Sequence, residues 1–274
     1  MTDASQPTLM CRAVRKLRDA QKQRRSLVSV GLEPCPEYLP AGFSPTIADY
    51  ERFLHMIIAA TSGLVCAYKF NLAFFEALGP EGTALLYRVR AALPDDVLII
   101  ADAKRCDIGS SARRYAEALY ARLGADAATV NPMLGRDSVE PFLAHSDRLT
   151  FFLVLTSNPG ANDFLIPEGL HRRLAQRLIE WDSTGSAGFV VGATRGEGIG
   201  EVRALAPNTP FLVPGLGAQE GDAQAVLRHG AAQNPEVPGL VVHVTRGILP
   251  GPDDRDLELA IHRRTQAFRD QLRN

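Results

Sequence analysis

Short apolar runs alternate with longer amphipathic stretches along almost the whole chain. The runs are rich in valine, isoleucine, leucine and phenylalanine, a pattern that predicts buried strands. They cover Ser26–Leu32, Leu64–Phe70, Val97–Lys104, Ala127–Met133, Phe151–Ser157, Gly188–Thr194, Phe211–Gly217 and Gly239–Gly247. The intervening stretches, such as YERFLHMIIAA and LHRRLAQRLIEW, have apolar residues at helical spacing. Regular alternation of strands and helices predicts parallel strands joined by right-handed crossovers.

The number of these units favours an α/β fold of the closed (β/α)8 TIM-barrel type. An open doubly wound sheet usually has a Gly-x-Gly-x-x-Gly turn after its first strand, whereas this chain has GLEPCPEYLP there. No linker or low-complexity segment divides the sequence. We therefore expect one domain over 1–274, with an N-terminal helix over 1–25, the barrel over 26–250 and a C-terminal helix over 251–274.

Composition narrows the class of protein. Hydrophobic residues make up 46% of the chain and the net charge is −1, which argues against disorder and against a general polyanion binder. The basic stretch from Arg12 to Arg25 is expected to be the solvated face of a capping helix. The start of the chain lacks the apolar core of a signal peptide, and no apolar run is long enough to span a bilayer. We expect a cytoplasmic protein without nucleic-acid or membrane partners.

The cysteines and histidines do not predict a metal centre. The four cysteines are far apart, so neither a disulfide framework nor a zinc site is indicated, and Cys106 is expected to be a packing residue rather than a nucleophile. The six histidines lack metal-ligand spacing. His243 lies in the final strand and is expected to be a hydrogen-bonded barrel residue rather than a base.

Polar residues follow the carboxyl end of each predicted strand. In a TIM barrel these ends share one rim, where active sites are built. A purely structural barrel has little reason to place lysines, an arginine and acids around one rim. The candidates are Glu33, Lys69, Asp102, Lys104, Asn131, Ser157, Asn158, Thr194, Gln219 and Arg246.

The run VLIIADAKRCD ends in alternating charges. Asp102 and Lys104 are two residues apart on a strand, so we expect them to project from the same face. Such a pair is costly to desolvate, which indicates solvent contact or a functional role. With Lys69 they would form an array in which Lys104 is a cationic proton donor. Asp107 lies too far past the strand end to join Asp102 and could complete a neighbouring subunit's site. A structural network of salt bridges is the alternative.

A second group of residues points to phosphate. The segment FLVPGLGAQEGDAQ is rich in glycine and leads into a helix, so its backbone N–H groups can bind an anion. Arg246, at the end of the eighth strand, adds a guanidinium group suited to phosphate. These loops are the usual phosphate site of a TIM barrel. The alternative is a structural turn with a surface ion pair.

The segment DAKRCDIGSSARRYA resembles the Asp-x-Lys-x-x-Asp-Ile motif of the orotidine 5′-phosphate decarboxylase family, in its longer bacterial type (type 2). The motif alone also resembles that of related metal-dependent sugar-phosphate aldolases, but TSNPG and PGLGAQ favour the decarboxylases. The resemblance extends in order through VGLEP, AYKFNLAFFEALGPEG, TVNPMLGRDSVEPF, VLTSNPGANDF, GFVVGATRG, FLVPGLGAQEGD and VTRGIL.

The resemblance implies a homodimeric enzyme of pyrimidine biosynthesis that converts orotidine 5′-phosphate to uridine 5′-phosphate and CO2 without a cofactor or metal. Lys104 is implied to protonate C6 of the pyrimidine, Lys69 to position the ribose and orient Asp102, and Asp107 to enter the partner's site. The implied substrate-binding residues are Glu33, Ser111, Asn131, Ser157, Pro214, Gly217, Gln219 and Arg246.

Three positions depart from the family pattern. Glu33 stands where aspartate is usual, Glu220 replaces a glycine in the phosphate loop, and Ser111 replaces threonine while keeping the hydroxyl. Two other functions remain open at this point. One is a Mg²⁺-dependent sugar-phosphate lyase or aldolase, and the other is a catalytically inactive barrel that binds nucleotides or protein partners.

Overall fold

The computed structural model describes residues 10–216 and 222–273. Eight parallel strands follow one another around a closed barrel, and the last pairs with the first. The predicted TIM barrel is confirmed, and each predicted run overlaps one strand. The strands are β1 (Val28–Leu32), β2 (Ala67–Asn71), β3 (Leu98–Arg105), β4 (Ala127–Val130), β5 (Leu149–Leu155), β6 (Ala187–Val191), β7 (Phe211–Pro214) and β8 (Leu240–Val244).

Helices connect the strands and surround the barrel. They are α1 (Arg12–Arg24), α2 (Ile47–Thr61), α3 (Leu72–Glu76), α4 (Gly79–Ala91), α5 (Gly109–Ala116), α6 (Arg136–Leu143), α7 (Ala161–Phe164), α8 (Leu170–Trp181), α9 (Gly196–Leu205), α10 (Ala223–Gly230) and α11 (Leu257–Gln271). A π-helical segment over Glu117–Arg122 continues α5, and short 3₁₀ helices cover Pro36–Tyr38, Pro167–Gly169 and Arg246–Ile248. Within the described ranges, no helix is both long and apolar enough to cross a bilayer.

Helix α1 closes the N-terminal end of the barrel. Its buried residues Val14 and Leu17 belong to the same apolar cluster as the strand residues Leu98, Ile100 and Phe151, which fill the interior. Outside the barrel, the opposite faces of the strands pack against the other helices in a separate, larger cluster. The basic side chains of α1 pair with acidic groups around this end, which confirms the predicted capping helix. The pairs include Lys16–Asp126, Lys22–Glu236 and Arg24–Asp96.

The barrel interior changes from apolar to polar towards the carboxyl ends of the strands. On β3, Ile100 is followed on the same face by Asp102, because strand residues alternate between two faces. The same order holds for Ala127 and Thr129 on β4, and Val241 is followed by His243 on β8. Since α1 and the apolar cluster fill the other end of the barrel interior, the polar groups of the interior are gathered at the carboxyl end.

Candidate active site

The Asp102 carboxylate is the centre of a buried charge array. Its Oδ2 lies 2.6 Å from the Lys69 ammonium, and its Oδ1 lies 2.6 Å from the Lys104 ammonium. The Thr129 hydroxyl donates a third hydrogen bond to Oδ1 at 2.8 Å. Burial alone would raise the pKa of Asp102, but the charges and hydrogen bonds of the two lysines outweigh it and hold the pKa well below its usual range. The carboxylate is therefore ionised and keeps both ammonium groups in place.

An irregularity in β3 places Lys104. The pairing of β3 with β4 shifts register between Ala101 and Arg105. Lys104 has a φ of +48°, in the left-handed region that non-glycine residues rarely adopt. Its backbone N–H donates to the Thr129 hydroxyl at 3.0 Å. Irregularities of this kind re-aim side chains near active sites. Here the ammonium of Lys104 reaches Asp102 while 50% of its side chain stays exposed.

A cavity of about 330 Å³ opens beside the array. One wall carries the charged groups of Lys69, Asp102 and Lys104 with the Thr129 hydroxyl. The rest of the lining is mainly apolar, with a few polar groups. This volume lies within the range of cavities that bind small molecules. The remaining lining residues are Leu153, Thr156, Ser157, Asn158, Val190, Leu212 and Pro214.

A second cavity, of about 310 Å³, adjoins the first because the two share Lys69, Ser157 and Pro214 in their linings. The exposed Arg246, in the 3₁₀ helix after β8, contributes a cationic group to it. The two cavities therefore form one groove, with the charge array at one end and a guanidinium group at the other. The other residues lining the second cavity are Glu33, Tyr38, Asn71, Phe74, Gly215, Leu216, His243 and Thr245.

Glu33 lies at the junction of the two cavities. Its Oε1 is 4.0 Å from the Lys69 ammonium, and only 8% of its side chain is exposed. Burial raises the pKa of Glu33, opposed by the charge of Lys69 and by a hydrogen bond from Asn71. Asn71 is paired with Asp102 in the register of β2 and β3. Lys69 thus faces two acidic groups, but it makes its close contact with Asp102.

His243 is a buried barrel residue, as predicted. Its Nδ1 lies 3.3 Å from the Ser29 hydroxyl, and its Nε2 lies 3.2 Å from the Thr245 hydroxyl. Burial, reinforced by the positive charge of Lys69, lowers the pKa of His243 well below its usual value. The ring is therefore neutral at pH 7, and both of its nitrogens have hydroxyl partners.

Ser157 is held at the shared wall by the segment that follows β6. The Thr194 hydroxyl donates to the Ser157 carbonyl at 3.1 Å, and the Arg195 guanidinium donates to the Asn158 carbonyl at 3.2 Å. A Cβ on Gly192 would lie 2.6 Å from the Ser157 nitrogen, so this close approach requires glycine. Two hydrogen bonds and one steric contact thus fix the position of Ser157.

Comparison with known proteins identifies the family. Residues 27–256 match the family model described as "Orotidine 5'-phosphate decarboxylase / HUMPS family". The chain belongs to this family. An orotidine 5′-phosphate decarboxylase of Dehalococcoides mccartyi is 40% identical over 242 residues, covering 85% of this chain and 87% of the relative. One from Roseiflexus sp. is 42% identical over 254 residues, covering 90% of this chain and 92% of that protein.

A solved structure agrees with these relatives. The OMP decarboxylase of Leishmania donovani superposes with a TM-score of 0.79 at 33% identity, covering 94% of this chain and 98% of that one. The predicted family and its carboxy-lyase activity are therefore confirmed.

The structure brings four of the eight implied substrate-binding residues of the family to one groove. Glu33, Ser157, Pro214 and Arg246 line it together with the charge array. Gly217 and Gln219, implied to bind phosphate, lie outside the described residues, as does Glu220.

Three other implied residues do not line the groove of this chain. The Asp107 carboxylate accepts a hydrogen bond from the backbone N–H of Ile108 at 2.8 Å. Ser111 is exposed in the first turn of α5. The Asn131 side chain accepts from the backbone N–H of Met133 at 3.1 Å, which gives it a role in the turn after β4. Among the described residues, Asp107 is not part of the lining of either cavity.

Two polar residues of the site were not among the sequence candidates. Thr129 contacts both Asp102 and Lys104, and Asn71 contacts Glu33. Both face the site from within a strand rather than from the loop after it. The alternation that predicts the direction of Asp102 also applies to Thr129 and could have identified it. The expectation that Cys106 is a packing residue was wrong, since this residue is exposed.

Proposed function

We propose that the groove converts orotidine 5′-phosphate to uridine 5′-phosphate and CO2 in pyrimidine biosynthesis, with Lys104 as the proton donor and without a cofactor or metal. The observation that carries this proposal is the Asp102 carboxylate, held on both oxygens by Lys69 and Lys104 beside a largely apolar cavity. Because the pKa of Asp102 is lowered, its carboxylate stays ionised at neutral pH.

The array suits a decarboxylation that proceeds without an electron sink. When the bond between C6 and the carboxylate breaks, its electron pair remains on C6. A fixed ammonium group beside that carbon stabilises the developing negative charge. The same group then transfers one proton to C6, and the resulting amine is reprotonated from water. Lys104 fits this role because one side of its ammonium is bound by Asp102 while the side chain remains exposed in the cavity.

The apolar and charged parts of the groove also occur in the order of the base, ribose and phosphate of a nucleotide. We place the pyrimidine ring in the cavity between Lys104 and Ser157, against the apolar side chains there. The ribose then lies near Lys69 and Glu33, and the phosphate near Arg246 at the far end. Charge-assisted hydrogen bonds from a guanidinium group suit a phosphate. Pro214 forms part of the wall common to both cavities, and Gly217 and Gln219 complete the proposed phosphate site.

The proposed assembly is a homodimer in which Asp107 enters the partner's site with Ser111 near the substrate. Support comes from the exposed apolar side chains around Asp107 on the same rim. Ile108, Met133 and Leu134 are each 50% to 52% exposed. Clustered exposed apolar residues mark interaction surfaces, and their burial favours association. The proposal includes a cytoplasmic location and the single-domain organisation expected from the sequence.

A Mg²⁺-dependent lyase fits this array less well. Magnesium binds through carboxylate oxygens and keeps several of its waters. Both Asp102 oxygens already bind ammonium groups, and the Thr129 hydroxyl occupies Oδ1 as well. A cation at this position would have to displace at least one lysine and would be repelled by the other.

The proposal is tested by following the loss of orotidine 5′-phosphate absorbance with the purified protein in excess EDTA. We expect turnover to be the same with EDTA as without it. Activity that disappears in EDTA and returns with Mg²⁺ would support a metal-dependent enzyme instead. A folded dimer without any decarboxylation would contradict the proposed function. Lys22→Ala is a suitable control, because Lys22 pairs with Glu236 at the surface of the opposite end of the barrel.

A further inference from the structure

We infer that Thr129 is a positioning residue of the charge array, fixing the carboxylate of Asp102 and the main chain of Lys104 at the same time. The inference rests on the proposed function, in which Lys104 acts on the substrate. Thr129 acts through these two residues and belongs to neither the phosphate end nor the ribose end of the groove.

The Thr129 hydroxyl forms hydrogen bonds with two residues of the charge array. Its oxygen donates to Asp102 Oδ1 at 2.8 Å and accepts from the Lys104 backbone N–H at 3.0 Å. A hydroxyl has one proton to donate, and an amide N–H can only donate. The directions of both bonds are therefore fixed. Since Thr129 is only 1% exposed, water cannot readily replace the hydroxyl if it is removed.

The strand register explains why one residue contacts both partners. Ala101 pairs with Ala128, and the next recorded pair is Arg105 with Val130. Three residues of β3, from Asp102 to Lys104, thus stand opposite the single residue Thr129 of β4. The extra length is accommodated where Lys104 adopts its φ of +48°. The Thr129 hydroxyl takes the place of a main-chain acceptor for the Lys104 N–H at this irregularity.

The consequence for catalysis is a defined position for the Lys104 ammonium. That position depends on the backbone at Lys104 and on the carboxylate that binds the ammonium, and Thr129 holds both. Without the hydroxyl, the Lys104 N–H loses its acceptor and Asp102 loses one donor. A displacement of about 1 Å in a reacting group can cost on the order of 100-fold in rate. Glu33 and Arg246 would keep their places, so binding of the ribose and phosphate should change little.

The test compares Thr129→Val, which removes the hydroxyl at nearly constant shape, with Thr129→Ser, which keeps it. We expect Thr129→Val to lower kcat by about 10- to 100-fold while KM changes less than about threefold. Thr129→Ser should retain most of the turnover. Thr150→Val is the matched control, because Thr150 is a fully buried threonine on the neighbouring β5 whose hydroxyl bonds to Tyr120 instead. It should affect stability but not kcat.

The pH dependence of kcat provides a second readout that a purely structural role would not change. Losing a donor to the ionised Asp102 raises its pKa, so the loss of kcat on acidification below about pH 3.9 should begin at a higher pH in Thr129→Val but not in Thr129→Ser. The other ionisable groups facing Asp102 are Lys69, Lys104, Glu33 and His243. These four residues are unchanged in both Thr129→Val and Thr129→Ser. If Thr129→Val does not fold, Thr129→Ala carries the same comparison.

The outcomes separate this inference from the proposed function. If Lys104→Ala is inactive while Thr129→Val keeps wild-type kcat and pH profile, the role of Thr129 is overturned and that of Lys104 stands. Equal losses of kcat in Thr129→Val and Thr150→Val would also overturn it, since burial alone would then explain the effect. If Lys104→Ala is fully active, the proposed function itself fails, and the inference fails with it.

Discussion

The Lys104 ammonium lies 2.6 Å from the carboxylate of Asp102. The Asp102 side chain is only 9% exposed, whereas 50% of the Lys104 side chain is exposed. Lys69, on the other carboxylate oxygen, is only 5% exposed. The two lysines thus bind the same acid from different environments. Lys69 is enclosed by protein and holds the carboxylate, whereas Lys104 is held by the carboxylate and faces the cavity.

This difference predicts that the two lysines contribute unequally to stability. Removing one partner from a buried ion pair leaves an uncompensated charge and costs about 3 to 5 kcal/mol. Lys69→Ala should therefore lower the free energy of unfolding by about 3 kcal/mol, whereas Lys104→Ala should lower it by less than about 1 kcal/mol. Urea denaturation of both variants measures the difference. Equal losses would contradict the assignment of Lys69 as the enclosed partner.

His243 predicts a loss of stability in mild acid. Its pKa is lowered in the folded chain, so below about pH 6.5 the unfolded chain takes up a proton that the folded chain does not. Between pH 6.5 and 5 this difference amounts to about 1.6 kcal/mol. His243→Gln should therefore lose less stability than the wild type over this window, as measured by denaturation at each pH. Parallel pH profiles for the two proteins would contradict the neutral, buried state of His243.

The contribution of Asp102 to the free energy of unfolding changes at a lower pH than that of His243. Because its pKa is depressed in the folded state, its stabilising effect is fully present above the unfolded value of about 3.9 and declines as the pH falls towards the folded value. The stability measurements for His243 therefore stay above pH 5, where Asp102 is ionised in both states. The two contributions can then be separated.

Arg246 predicts how the substrate is oriented. If it binds phosphate, Arg246→Ala should weaken the binding of uridine 5′-phosphate by about 10- to 100-fold, because hydrogen bonds to charged groups are worth about 1.5 to 3 kcal/mol. Binding of uridine, which lacks the phosphate, should change little. Calorimetric titration of both ligands measures the effect. A similar loss for both ligands would show that Arg246 shapes the groove rather than binding phosphate.

The sequence predicted the barrel and the direction of the charged pair because both follow from simple periodicity. Alternation along β3 places Asp102 and Lys104 on one face, and this remains true despite the irregularity between Ala101 and Arg105. The irregularity itself was not predictable, since it depends on how β4 pairs with β3. Alternation along β4 places Thr129 on the inner face, but its contacts with both Asp102 and Lys104 depend on that irregularity. Its importance comes from standing opposite three residues of the neighbouring strand.

Asn131, which also follows a strand end, does not line the groove as Ser157 and Arg246 do. Asn131 follows β4 in sequence, but β4 ends at Val130 and the Asn131 side chain bonds within the next turn. A side chain in a loop is free to satisfy nearby backbone groups, and asparagine does so readily. Residues within strands, such as Lys69 and Asp102, lack that freedom. The directions of their side chains can therefore be predicted from the alternation along the strand alone.

The proposed dimer predicts that two inactive variants complement each other. Lys104→Ala lacks the proton donor, and Asp107→Ala lacks the group donated to the partner's site. A mixed dimer contains one site with an intact Lys104 and an intact Asp107. With random mixing, about a quarter of all sites should regain activity, because half the dimers are mixed and half their sites are complete. Refolding the two variants together and assaying turnover measures this.

The control for complementation is a mixture of Lys104→Ala with Asp102→Asn, both of which disable residues of the same chain's site. That mixture should remain inactive, since every mixed dimer has two defective sites. Activity from both mixtures would indicate contamination or slow residual turnover. Absence of activity from the Asp107 mixture, with mixed dimers demonstrated, would contradict the shared site.

The most direct measurement of the central claim is the kcat of Lys104→Ala with orotidine 5′-phosphate, measured in EDTA beside the wild type. Removing both the proton donor and the positive charge beside C6 should lower kcat by at least about 1,000-fold, with folding preserved. Its affinity for uridine 5′-phosphate shows that the groove is intact. A folded Lys104→Ala protein that turns over at the wild-type rate would contradict the claim that Lys104 donates the proton.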